Sequence, residues 1–168
     1  ALDVEKDTGK QHILDQFDGA QFGEEALVND DIFAILSLCE IGYCTGEVEI
    51  AGQHIKHDFA SSSFYGTDMT AAALRALLNV YPSSDPALEG AAEYLQSKQE
   101  SDAGFSGSSS RIDTTSWTMD AIGALGALSF DGWTKGSLTP LDYLGGAQHD
   151  DGSFGDTNKV WSTAYALM

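Results

Sequence analysis

The chain has 168 residues and a mass of 17.9 kDa, the length of one domain able to bury its own core. Hydrophobic residues are 42% and aromatics 10%, which excludes a disordered or low-complexity chain, and no run approaches the roughly 18 apolar residues of a membrane span. With 26 Asp and Glu against 8 Lys and Arg, the formal charge of −18 would repel the phosphates of nucleic acid or an anionic membrane.

Taken in chain order, apolar periodicity predicts a weak helix before residue 15. Further helices are expected over 29–42, 48–58, 67–80, 86–99, 114–128, 139–148 and 160–168, and no stretch alternates with period two. Two starts carry a cap followed by proline at the first helical position: Asp85 with Pro86, and Thr139 with Pro140. The acids are evenly spread, 13 in residues 1–58 and 13 in residues 59–168, so there is no acidic tail. A soluble surface, a salt-adapted host and a surface that collects cations all fit that distribution. Cys39 and Cys44 flank Gly42 in CEIGYC; the pair reads either as a small disulfide loop or as two separate thiols, and the spacing does not suit zinc or a redox CxxC. The start, ALDVEKD, carries no signal segment and fits a mature or trimmed product.

Four short segments repeat: DGAQFG (18–23), SSSFYG (61–66), DAGFSG (102–107) and DDGSFG (150–155), with Phe22, Phe64, Phe105 and Phe154 spaced by 42, 41 and 49 residues. An Ala-rich run follows each. Aligned on Ala34, Ala73, Ala121 and Ala166, the position three earlier is Asp31, Thr70, Thr118 or Thr163. Tyr94-Leu95 and Gln99 recur 49 residues later as Tyr143-Leu144 and Gln148. The repeat is therefore helix, Gln, Gly-containing turn with Phe, polar loop and Ala-rich helix, with units near 16–42, 48–80, 86–128 and 139–168. Small residues such as Ala71, Ala72, Ala73 and Ala76 let helices approach closely, and the turn Phe fills the gap between them.

The stretch from Gln148 through Asp150-Asp151-Gly152-Ser153 to Phe154 resembles the QxxDGSF/W repeat of squalene–hopene cyclases and protein prenyltransferase β-subunits. Gln99 to Phe105 is a looser copy, with Gly104 one place late. The resemblance spans roughly residues 16–168. It implies an all-α fold, an α/α toroid of tandem helix pairs. Complement thioester domains and cobalamin carriers share that fold, which does not by itself fix a chemistry. A complete toroid of this kind has about six helix pairs, so an incomplete ring of about seven to eight helices is expected here, open or completed by another chain or by more of the protein. The chemical motifs of the superfamily are absent from these residues: there is no DxDD proton-donor motif, no D-x-C zinc arrangement and no Cys-Gly-Glu-Gln thioester stretch.

The starts of the Ala-rich helices carry Asp31, Asp68, Thr70, Ser116, Thr118, Ser162 and Thr163. Helix capping accounts for such residues; convergence at one mouth of the barrel, beside Trp117 and Trp161, would instead make a ligand pocket. The pocket candidates are Asp31, Asp68, Thr70, Trp117, Thr118, Trp161 and Thr163. His54, His57 and Asp58 on one helix, and His149, Asp150, Asp151 and Asp156 in one turn, read as solvated residues rather than as metal or calcium sites, so no metal and no cofactor is expected. No catalytic triad appears, and Gly145-Gly146 lies in a helix-like run rather than a phosphate loop. The expectation is a non-catalytic, extracellular or cell-surface ligand-binding, protein-binding or scaffold domain. The alternatives are an enzyme of the terpene-cyclase or prenyltransferase type, or a cobalamin-carrier-like module. The last helix, with Trp161, Tyr165, Leu167 and Met168, is expected to leave an apolar edge. Through residues 160–168 it would meet a second copy or a further part of the protein.

Overall fold

The computed structural model describes residues 2–25, 27–107, 110–127, 130–156 and 158–167, with side chains from Asp7 onward. Eight helices lie within them: α1 (Leu2–Leu14), α2 (Val28–Glu40), α3 (Glu47–Ala60), α4 (Thr67–Leu77), α5 (Pro86–Ser97), α6 (Arg111–Ala124), α7 (Pro140–Ala147) and α8 (Lys159–Ala166). The fold is all-α. Among the described residues no strand forms, only four isolated antiparallel bridges. The helix starts follow the local chemistry. Asp85 accepts from the Ala87 amide ahead of Pro86, and Thr139 and Asp142 form a reciprocal capping box ahead of Pro140. Helix α6 begins three residues before the expected position because the Ser110 side chain caps it, accepting from Asp113 N at 3.2 Å. The expected ends at residues 128 and 168 lie outside the described residues.

The even-numbered helices form one row, α2 against α4, α4 against α6 and α6 against α8. Helices α3 and α5 pack on each other beside that row, and sequential helices pack as α1 with α2, α2 with α3, α3 with α4, α4 with α5 and α6 with α7. Helix α4 sits in the middle. Its Ala71, Ala72, Ala73 and Ala76 are buried, so the neighbouring backbones come close, while Leu74 and Leu77 fill the space between layers. Burying one such leucine contributes about 1.5–3 kcal/mol.

Three of the four repeated turns are closed by an isolated antiparallel bridge. Phe17 bridges Phe22, Gln99 bridges Phe105 and Gln148 bridges Phe154. The glutamine side chain closes the turn from inside: Gln99 Nε2 donates to the carbonyls of Ala103 (3.1 Å) and Trp133 (2.8 Å), and Gln148 Nε2 donates to Gly152 O (3.1 Å). Gly152 takes a left-handed φ of 82°, and in the third turn Ala103 takes the same role at 69°. The glycine is displaced to 104 for a different reason. A Cβ there would meet the ring of Tyr143 at 2.8 Å. Phe22, Phe105 and Phe154 are buried, and Phe64 is half-buried. Cys39 and Cys44 form a disulfide across the turn between α2 and α3, where Gly42 has a φ of 85°.

Candidate ligand cavity and the pins around it

Six of the seven side chains expected at a common pocket mouth fall into two groups. In the first, each anchors a turn. Asp31 Oδ1 accepts the Phe22 amide at 2.7 Å, Thr70 Oγ1 the Tyr65 amide at 3.1 Å, and Thr163 Oγ1 the Phe154 amide at 2.9 Å. The third repeat uses Thr115, which accepts the Phe105 amide at 2.9 Å. This corrects the register. Thr118, aligned with these residues on alanine spacing, lies one turn further on, and its hydroxyl donates to Thr114 O of its own helix at 2.8 Å. In the second repeat the pinned residue is Tyr65; Phe64 instead stacks on Tyr94 with ring centroids 4.5 Å apart. A buried amide left unpaired costs about 1–3 kcal/mol, so these four acceptors are what lets each Phe or Tyr turn dock on its helix.

The first pin is electrostatically unlike the others. Burial pushes the Asp31 carboxyl above its ordinary pKa, and the Phe22 amide and nearby His54 offset part of the rise; His54 Nδ1 lies 3.8 Å from Asp31 Oδ2. Beside it, Tyr65 Oη donates to Asp58 Oδ2 at 2.6 Å, and burial together with that carboxylate raises the phenol's pKa. The oxygen-rich turn at 149–156 is also internally engaged. Asp151 accepts from the Ser153 hydroxyl (2.6 Å) and amide (3.0 Å), which holds its pKa down to about 2, and Lys159 lies 3.6 Å away. Among the described residues, no three His, Cys, Asp or Glu side chains converge as a metal set would.

The second group, Asp68, Trp117 and Trp161, lines one cavity of about 150 Å³ among α2, α4, α6 and α8. Phe33, Met69, Ala72, Asp113 and Tyr165 complete its walls, and sequence reasoning missed all five. Spacing could have found two of them, because Asp113 precedes Trp117 by one helical turn and Tyr165 follows Trp161 by one. The rings form a chain: Phe33 to Trp117 at 5.9 Å, Trp117 to Tyr165 at 5.3 Å and Tyr165 to Trp161 at 5.1 Å. Burial raises the Tyr165 phenol's pKa and the Asp113 carboxylate adds to the rise, while the two indoles offset part of it. Trp161 is 62% and Phe33 43% exposed, so the mouth opens to water.

No family model, no curated protein and no solved structure matches the chain.

Proposed function

We propose that the chain is a non-catalytic binding and scaffold domain, extracellular or at a cell surface, built from helix-pair repeats of the α/α-toroid kind. The observation that carries this reading is the use already made of its polar residues. Asp31, Thr70, Thr115 and Thr163 hold turns, and Thr118 bonds within its helix, so none of them is aimed at a ligand, whereas aromatic rings line the small cavity. Acid catalysis on a polyprenyl chain needs a carboxyl of raised pKa aimed into an apolar site. Asp31 is raised by burial, but it is bonded to the Phe22 amide and does not line the cavity. The row of even-numbered helices beside α3 and α5 supports the layered arrangement of a toroid segment. The Cys39–Cys44 disulfide supports an oxidising compartment.

The test is incubation with squalene and with prenyl diphosphates plus acceptor peptide. No turnover above a protein-free control is expected. Turnover abolished by Asp68→Asn or Asp113→Asn would overturn the reading in favour of a terpene-cyclase or prenyltransferase enzyme.

A second feature favours a protein contact. Val160 of α8 is 87% exposed and Leu167 just past its end 73% exposed, near Trp161, an apolar edge that fits a second copy of the chain. The −18 charge opposes pairing, and salt screens that opposition over about 8 Å at physiological strength. Sedimentation at low and high salt should show a dimer that strengthens with salt; a monomer under both conditions would overturn the contact.

A further inference from the structure

We propose that the cavity among α2, α4, α6 and α8 binds an organic ammonium cation, a quaternary or multiply methylated amine head group. This rests on the binding-domain reading above and adds to it the class of ligand.

The wall chemistry carries the inference. Phe33, Trp117, Tyr165 and Trp161 all line the cavity and follow one another with ring planes turned by 67°, 51° and 89°. A cation within about 6 Å of a ring centroid is attracted to the negative face, and perpendicular rings can surround it. Two carboxylates from first helical turns, Asp68 on α4 and Asp113 on α6, add charge of the matching sign, and among the described residues no Lys, Arg or His lines the cavity. The Oδ1 atom of Asp113 is buried and has no hydrogen-bond partner among the described residues. A neutral guest would leave that oxygen uncompensated at a desolvation cost; a cation would relieve it.

Size and hydration narrow the class. A cavity of about 150 Å³ admits a guest the size of benzene, which suits a trimethylammonium head and not an extended polyprenyl chain. A primary ammonium is more strongly hydrated and needs three acceptors, and half of the lining residues are aromatic rings that supply none. A metal ion would need several oxygen ligands for the same space. The exposure of Trp161 and Phe33 is what an open-mouthed site requires and what rings serving only to pack would avoid. The overall charge of −18 would concentrate cations near the mouth.

The experiment is calorimetric titration of the full chain with choline, with its neutral carbon analogue 3,3-dimethylbutan-1-ol, and with ethanolamine. Choline should bind in the millimolar range or tighter, with the alcohol and ethanolamine each about tenfold weaker. Trp161→Ala, at a largely exposed position that should not disturb folding, and Asp113→Asn should each weaken choline about three- to tenfold, with circular dichroism unchanged. Equal binding of choline and the alcohol, both lost in Trp161→Ala, would overturn the cation class and leave the pocket reading standing. Tighter ethanolamine would overturn the methylated head group. Choline binding untouched by both substitutions, or no binding of choline, would overturn the site; the polyprenyl turnover assay would still decide the non-catalytic reading separately.

Discussion

The amide of Phe105 donates to the hydroxyl of Thr115 at 2.9 Å, ten residues further along the chain. The same bond joins Phe22 to Asp31, Tyr65 to Thr70 and Phe154 to Thr163. A turn that would otherwise bury an unpaired donor is thereby fixed to the start of the next helix, once per repeat. The repeat is as much a hydrogen-bond device as a packing device.

The first pin is a carboxyl, and that gives it a pH dependence. Burial raises the Asp31 pKa above its ordinary 3.8, so the folded chain keeps this proton over a pH window in which the unfolded chain has lost it. Where the native state binds more protons, stability falls as pH rises. Asp31→Asn keeps an acceptor for the Phe22 amide and removes the titration. Urea unfolding across a pH series should show the parent losing stability relative to Asp31→Asn from 3.8 upward through that window, then a constant difference. A pH-independent difference, or one of opposite slope, would contradict this.

The third turn has a steric requirement. Tyr143 lies where a Cβ on Gly104 would go, and the ring is held in place: Arg111 sits 4.7 Å over it and is itself fixed to Asp102 by bonds of 2.9 and 2.7 Å. Gly104→Ser, which installs the residue of the fourth repeat, should cost about 1–3 kcal/mol through overpacking. Ala103→Gly should be nearly neutral, because relief of its positive φ is offset by the loss of a buried methyl. Thermal melts of the two variants check the ranking, and a tolerated Gly104→Ser would contradict it.

The Cys39–Cys44 bond closes a loop with a sequence separation of 5. Chain-entropy reasoning assigns so short a loop about 2 kcal/mol. Reduction, or the double substitution Cys39→Ser and Cys44→Ser, should lower unfolding stability by about that amount while far-ultraviolet circular dichroism stays helical. Unchanged stability on reduction would count against a disulfide in the folded chain.

What could be read beforehand was local. The starts at Pro86 and Pro140 needed only a cap and a proline, and the small residues of α4 needed only helical spacing to read as a close-packed seam. The register of the third pin could not be read the same way. Thr115 and Thr118 are three residues apart on one face of α6, so both fit a helical pattern, and the choice depends on the length of the loop after Phe105. The loops differ: the pins lie 9, 5, 10 and 9 residues beyond their turns. The cavity was half legible. Trp117 and Trp161 stood out as indoles at helix starts, but that Phe33 of α2 lies against Trp117 depends on packing along the row of helices, which no short-range spacing encodes.

Equilibrium unfolding of Thr115→Val beside Thr118→Val tests the pinned-repeat account most directly. Valine keeps the shape of threonine and removes the hydroxyl. Thr115→Val should cost about 1–3 kcal/mol because the buried Phe105 amide loses its acceptor. Thr118→Val removes only a bond to a carbonyl of its own helix and should cost less than about 1 kcal/mol. A larger loss at Thr118 than at Thr115 would contradict the account.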